Sequence, residues 1–114
     1  MSKTKWGHST RLDDYMWAKL GTTDNGGIEI LLGGSESAIN GGDHVHFIKE
    51  RDGTWYYNPR QSTGKRKLID WANYPDAKGD FNKLKQYMRI SNWSQITEYD
   101  IEGYLEELVR KLRQ

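Results

Sequence analysis

The amino-acid sequence predicts an α+β fold: a small antiparallel sheet with a central β-hairpin, one N-terminal helix and two C-terminal helices. Asp52-Gly53 separates two β-prone runs, which is typical of a hairpin. Two segments of the C-terminal third repeat apolar residues at helical spacing. The length of 114 residues suits one domain, and we expect residues 1–114 to form it.

Composition narrows the class of protein. Seventeen basic and 16 acidic side chains give a net charge of +1, and five Trp with seven Tyr predict an aromatic core. The absence of cysteine excludes disulfides, thiolate nucleophiles and Cys-based metal sites. No stretch approaches the ~20 apolar residues of a membrane-spanning helix, and MSKTKWGHST lacks an apolar signal core. We therefore expect a cytoplasmic protein with no membrane partner.

The N-terminal half is predicted to contain a helix, a strand and a loop. Ser9 or Thr10 can cap a helix over 10–20, with Gly21 after it. The apolar residues that recur on this helix are Leu12, Tyr15, Met16 and Leu20. Residues 28–32 form an apolar run that suits a buried strand, and the glycine-rich stretch 33–43 is predicted to be a polar loop.

The hairpin is predicted over 44–50 and 54–58, with Asp52 and Gly53 in a type I′ turn. This register pairs Glu50 with Trp55 and Ile48 with Tyr57. It gives one face His44, His46, Ile48, Glu50, Trp55 and Tyr57. It gives the other face Val45, Phe47, Lys49, Arg51, Tyr56, Asn58 and Arg60.

The remaining residues are predicted to form a basic loop, a short apolar segment and two helices. Pro59 ends the hairpin and 61–67 is the basic loop. The apolar residues Leu68, Ile69 and Trp71 suit a third strand. A helix capped by Asp80 carries Phe81, Leu84, Tyr87 and Met88 on one face. A helix capped by Thr97 carries Ile101, Tyr104, Leu105, Leu108, Val109 and Leu112.

Two histidines on one strand face are a candidate acid–base pair. His44 and His46 lie ~6.6 Å apart along a strand, a span that a scissile phosphate can bridge. Metal-independent RNA cleavage needs one group to take the proton of the ribose 2′-hydroxyl and another to protonate the leaving oxygen. Imidazoles suit both tasks near neutral pH. Glu50, ~13 Å from His46, would need a bulge to join them.

Further residues near the hairpin are candidates for RNA contact. Arg60, Lys65, Arg66 and Lys67 are predicted to bind phosphates. Trp55, Tyr56 and Tyr57 are predicted to make aromatic contacts with bases or with a protein partner.

The string DHVHFIKERDGTWYYNPRQSTGK, residues 43–65, resembles colicin-type and contact-dependent bacterial toxin RNase domains. In those domains a His-bearing strand leads through a Gly turn to an Asn/Asp-Pro-x-x-(S/T)-Gly-Lys-like stretch. The resemblance implies general acid and base roles for His44 or His46 and for Glu50. Such toxins are strongly basic, whereas this chain carries +1.

The same string is similar to the His half of papain-like toxins and deamidases. That resemblance implies an imidazole at His44 or His46 oriented by Asn58. The chain has no cysteine to act as nucleophile, so this resemblance implies a pseudoenzyme.

Two cofactor motifs are incomplete. His44-x-His46-x-x-x-Glu50 resembles the first half of the cupin metal motif, but the chain has no later histidine and its last third is helical. Ser62-Thr63-Gly64-Lys65 lacks the first glycine of a P-loop, and Arg66 replaces its Ser/Thr. We therefore expect no metal, no nucleotide and no other cofactor.

Small, cysteine-free, charge-balanced and Trp-rich chains fit a binding or inhibitory protein of the phage or toxin–antitoxin type. The sequence thus favours a protein that acts through an aromatic-rich surface on a protein partner. RNA binding or cleavage through the His44/His46 hairpin is the alternative, and whether the chain is an enzyme stays open.

Overall fold

One antiparallel sheet organises the fold. The computed structural model describes residues 4–58, 64–73, 78–89 and 96–113. In these residues the strands are β1 (Thr4–Trp6), β2 (Thr10–Asp13), β3 (Met16–Thr23), β4 (Ile28–Gly33), β5 (Val45–Lys49), β6 (Trp55–Tyr57) and β7 (Arg66–Lys67). Their order across the sheet is β1-β3-β4-β5-β6-β7, and β2 pairs with the other half of the β3 edge.

The described helices accompany this sheet. Helix α1 (Glu36–Ile39) lies between β4 and β5, and helices α2 (Lys78–Met88) and α3 (Glu98–Leu112) follow a 3₁₀ helix over Leu68–Asn73. The predicted fold class is confirmed: the chain is α+β, and its described residues form an antiparallel sheet, one short helix in the N-terminal half and two C-terminal helices.

The helix predicted over 10–20 is wrong. Residues 10–13 and 16–23 are strands β2 and β3, joined by a tight turn in which the Tyr15 amide donates to Asp13 Oδ1 at 2.7 Å. Met16 and Leu20 are four residues apart, which satisfies both a helix and a strand of period two. The strand is adopted because β3 pairs with β4 along six residues and with β1 and β2 on its other edge.

The apolar run at 28–32 is a strand, as predicted, and extends to Gly33. The polar stretch after it, predicted to be a loop, contains helix α1. Ser35 Oγ accepts a hydrogen bond from the Ala38 amide at 3.1 Å and caps α1. Ile39 of this helix is 1% exposed. A Cβ on Gly33 would lie 2.9 Å from the Ile39 side chain, so the glycine allows the helix to pack closely on β4.

The hairpin exists, but its register is shifted by one residue from the prediction. Lys49 pairs with Trp55 and Phe47 with Tyr57. The loop holds three residues: the Gly53 amide donates to the Glu50 carbonyl, and Gly53 has φ of +91°. This is the three-residue hairpin with glycine in the last loop position, which Asp-Gly also suits. Because side chains alternate, the shift moves Trp55 and Tyr57 to the opposite face of the sheet.

The C-terminal elements follow the predicted pattern with two corrections. Residues 68–73 form a 3₁₀ helix instead of a third strand, and the short strand β7 precedes it. Helix α2 begins at Lys78, so Asp80 lies in its first turn and is not its cap. Thr97 is the N-cap of α3, as predicted, and its amide donates to Asp100 Oδ2 at 2.9 Å.

Helices α2 and α3 and Leu68 cover one face of the sheet, which we call the core face. Its largest fully buried side chains include Ile30, Leu32, Val45, Phe47, Tyr57, Leu68, Leu84, Ile101 and Leu105. Trp55 Nε1 donates to Glu106 Oε1 at 3.0 Å, and the Tyr57 hydroxyl donates to Asp80. The aromatic residues of β6 thus connect the sheet to both helices.

Candidate binding site on the outer sheet face

The opposite face of the sheet, which we call the outer face, carries the predicted histidines. Strand pairing places Trp6, Gly21, Glu29, Ile48, Tyr56 and Lys67 in one row across it. The next row contains Lys19, Leu31 and His46. We call Trp6, Lys19, Glu29, His44 and His46 the outer-face cluster.

His46 is paired with a carboxylate on the neighbouring strand. Its Nε2 lies 3.3 Å from Glu29 Oε2, and the two side chains are 19% and 16% exposed. This hydrogen bond lowers the pKa of Glu29 against the opposing effect of burial, and a hydrogen bond from the Thr4 side chain adds to the lowering. Glu29 is therefore ionised at neutral pH.

His44 is held by backbone carbonyls. Its Nδ1 lies 2.9 Å from the Gly42 oxygen and 3.1 Å from the Ala38 oxygen. Since carbonyls only accept, Nδ1 carries the proton, and Nε2 is the acceptor nitrogen of the neutral ring. The ring centroids of His44 and His46 are 6.3 Å apart.

Trp6 lies at the edge of this cluster. Its ring packs over Gly21, where a Cβ would come within 2.8 Å of Trp6 Cε3 and 2.5 Å of Thr4 Cγ2. The Lys19 ammonium lies 4.9 Å from the ring centroid, and the His46 ring lies 6.3 Å away. The indole is 36% exposed, so it is both fixed in position and accessible.

Glu50, the predicted acidic partner of the histidines, pairs elsewhere. Its carboxylate contacts the Lys65 ammonium, and that ammonium lies 4.6 Å from the centroid of the Tyr56 ring. The carboxylate that contacts an imidazole is Glu29. A charged residue within the apolar run IEILL was the signal for Glu29 that the sequence analysis did not use.

The predicted aromatic contacts divide between the two faces. Trp55 is 2% exposed and Tyr57 is 0% exposed, so their predicted placement beside the histidines is wrong. Tyr56 lies on the outer face, half-buried, opposite Ile48 and Lys67. The outer face therefore presents Tyr56 and Trp6, of which the sequence analysis proposed only Tyr56.

The predicted phosphate-binding residues do not form one patch among the described residues. Lys65 contacts Glu50, Arg66 pairs along β7 with the core-face residue Tyr57, and Lys67 pairs with Tyr56. Arg60 and the loop residues 61–63 lie outside the described residues. Lys65 and Lys67 lie beside Tyr56 at the outer face, whereas Arg66 pairs with Tyr57 of the core face.

The residues that were considered for metal or papain-like chemistry are not arranged for it. Within residues 4–58, 64–73, 78–89 and 96–113 no three His, Asp or Glu side chains are grouped as metal ligands. Asn58 Oδ1 is buried and has no hydrogen-bond partner in the described part of the chain, so it orients neither imidazole.

The chain was compared with known protein families, curated proteins and solved structures, and none matches. The resemblance of residues 43–65 to toxin RNase domains therefore stays a prediction. Among the described helices, none is long and apolar enough to cross a membrane.

Proposed function

We propose that this chain is a small cytoplasmic binding protein that inhibits or regulates a protein partner, and that the outer face is its contact surface. The observation that carries the proposal is Trp6. Its indole is 36% exposed yet held against Gly21, between Lys19 and His46. A preordered, half-exposed Trp loses little conformational entropy on binding, and such residues dominate protein interfaces.

The polar groups around Trp6 suit a contact surface. Glu29 lies against the His46 imidazole, and the Glu50 carboxylate contacts the Lys65 ammonium. Lys19 donates to Asn40 Oδ1 at 2.9 Å and has no carboxylate partner among the described residues. Among the described residues of the outer face, Lys19, Lys65 and Lys67 outnumber Glu29 and Glu50. We therefore propose a partner with an acidic patch beside a cavity that accepts an indole.

The histidines are integrated into this surface by structural contacts. His44 Nδ1 closes the 40–43 turn against α1, and His46 Nε2 joins β5 to β4 through Glu29. Both contacts hold their rings in one orientation. This supports a rigid binding surface whether or not either ring takes part in chemistry.

Affinity capture with matched variants tests the proposal. Wild type, Trp6→Ala and Tyr99→Ala are used as baits in lysate of the source cells. Tyr99 is 71% exposed on α3 and serves as the control aromatic. We expect Trp6→Ala to weaken binding of the captured partner by ~2 kcal/mol or more, roughly 30-fold in affinity. We expect Tyr99→Ala to bind the partner as wild type does. Equal capture by all three baits contradicts the proposal.

Metal-independent RNA cleavage is the second candidate, and the spacing of the imidazoles favours it. Two rings 6.3 Å apart on one face can address the two oxygens that exchange protons during cleavage. His44 keeps Nε2 as an acceptor, and ionised Glu29 supports His46 as a carboxylate supports the imidazole of a catalytic triad. In this role His44 would be the base and His46 the acid.

A cleavage assay in EDTA separates the two candidates. Total RNA is incubated with wild type, His44→Ala, His46→Ala and Tyr99→Ala, and the products are separated on a denaturing gel. Cleavage by wild type and Tyr99→Ala alone supports the acid–base pair. Intact RNA in every lane excludes cleavage and leaves the binding function.

A further inference from the structure

A second concave site lies on the core-face side of β1 and shares one lining residue, Trp6, with the outer-face cluster. It is a cleft of about 540 Å³ between β1, β3 and the C-terminal end of α3. This volume is within the range of small-molecule sites, ~300–1,000 Å³. The apolar residues Leu20 and Leu112 and the hydroxyl residues Thr10 and Thr22 are among its lining. The cleft can therefore hold an apolar group and donate hydrogen bonds.

The described residues of this cleft that can carry charge are basic. Lys5 of β1, His8 after it and Arg113 after α3 line the cleft, and no Asp or Glu is among its described lining residues. Elsewhere several cations are paired with carboxylates, as in Lys49–Glu106, Lys83–Asp43 and Arg89–Asp13. Within the described residues neither Lys5 nor Arg113 has an ion-pair partner. Two unpaired cations and an imidazole that converge on one cleft attract an anion.

The partial negative charge at the carboxyl end of α3 accounts for only part of the positive charge around the cleft. The carboxyl end of a helix carries a partial negative charge that favours a basic residue in its last turn. Arg110 and Lys111 already supply that charge in the last turn of α3. Lys5 and His8 belong to other segments, and their convergence with Arg113 is a property of the tertiary fold.

We propose that this cleft binds a small organic phosphate, a phosphomonoester with an apolar or aromatic body. Arginine and lysine together match a dianion, because guanidinium binds two phosphoryl oxygens at once and ammonium adds a point charge. The hydroxyls of Thr10 and Thr22 can donate to phosphoryl oxygen. Leu20 and Leu112 then contact the organic body of the ligand. Among the described lining residues Trp6 alone also belongs to the outer-face cluster, and the groups proposed to hold the phosphate lie outside that cluster.

Calorimetric titration of the full chain tests this site with phenyl phosphate, inorganic phosphate and benzoate. We expect saturable 1:1 binding of phenyl phosphate. We expect weaker binding of inorganic phosphate, which lacks the apolar body, and of benzoate, which carries one charge. Absence of saturable phenyl phosphate binding overturns the proposal, as does equal affinity for all three probes.

A matched pair of variants locates the binding. Arg113→Ala and Arg110→Ala each remove one charge from the end of α3, but only Arg113 lines the cleft. We expect Arg113→Ala to weaken phenyl phosphate at least tenfold and Arg110→Ala to change it less than threefold. Equal losses of phenyl phosphate affinity in both variants would mean that net charge alone attracts the ligand, and this would overturn the proposed site. Lys5→Ala, an exposed edge-strand change, repeats the test if Arg113→Ala alters the fold.

Discussion

At the residue scale, the outer-face cluster depends on one carboxylate. Glu29 accepts hydrogen bonds from His46 and Thr4, which connects β4 to both β5 and β1. The partly buried position makes these contacts stronger than exposed ones, because water screens them less. Glu29 therefore contributes to the stability of the sheet as well as to the orientation of His46.

Glu29→Gln should make stability less dependent on pH. The pKa of Glu29 is lowered in the folded chain, so its contribution is fully present above the unfolded pKa and is lost as pH falls through the folded pKa. Urea unfolding between pH 6 and pH 3 should show a smaller loss of stability in Glu29→Gln than in wild type. Asp14→Asn, which removes a side chain that is 83% exposed, should keep the wild-type slope. Identical slopes in all three proteins would contradict this role of Glu29.

Gly21→Ala should displace Trp6. The added Cβ would meet Thr4 Cγ2 and Trp6 Cε3 at 2.5 and 2.8 Å, so both side chains must move. We expect a loss of about 1–3 kcal/mol in the free energy of unfolding. Gly103→Ala is the control, since nothing lies within 4 Å of its new Cβ and helix propensity predicts a gain of ~0.5–1 kcal/mol. A Gly21→Ala variant as stable as wild type would refute the close packing of Trp6.

The sequence allowed part of the candidate site to be predicted at this scale. Alternation along a strand placed His44 and His46 on one face. Glu29 and Trp6 were missed because their proximity to the histidines arises from the pairing of β1, β3, β4 and β5. That pairing joins residues far apart in the chain, and local patterns do not specify it.

At the element scale, the hairpin shows how a small error in a turn changes a whole face. Asp52-Gly53 suits both a two-residue loop and a three-residue loop that ends in glycine. The structure adopts the longer loop, in which the Thr54 amide donates to Asp52 Oδ1 at 2.9 Å. The buried aromatic residues Trp55 and Tyr57 favour this register because it turns them toward α2 and α3.

Gly53→Ala tests the loop directly. Gly53 has φ of +91° with no atom within 4 Å of a new Cβ, so any loss of stability comes from backbone strain alone. We expect a loss of about 1 kcal/mol in urea unfolding. Gly53→Asn should lose less, because asparagine tolerates positive φ better than alanine. Equal stability of wild type and Gly53→Ala would argue against the three-residue loop.

Helices were predictable where one face of the helix is buried. On α3 the residues Ile101, Leu105, Leu108 and Val109 are buried at the predicted spacing, and Thr97 is the predicted cap. The helix predicted over 10–20 is wrong because its apolar spacing fits both the helical and the strand period. Pairing with strands on both edges favours the strand. Helix α1 was missed because its four residues are too few for a periodic pattern.

At the scale of the whole molecule, the two faces of the sheet differ in their side chains and in what packs on them. The core face binds α2 and α3 through aliphatic and aromatic side chains. The outer face carries charged side chains, two imidazoles and an exposed indole, and α1 is the one helix of the described residues that packs on it, through Ile39. This asymmetry is the basis for placing the partner contact on the outer face.

The exposed large aromatic residues allow one measurement to test that placement. Among the described residues they are Trp6 at 36%, Tyr15 at 76% and Tyr99 at 71% exposure. Hydroxyl-radical footprinting of the free chain and of its captured complex compares their oxidation rates. The account predicts that Trp6 becomes severalfold less reactive in the complex while Tyr15 and Tyr99 keep their rates. Protection of Tyr15 or Tyr99 with Trp6 unchanged would contradict it.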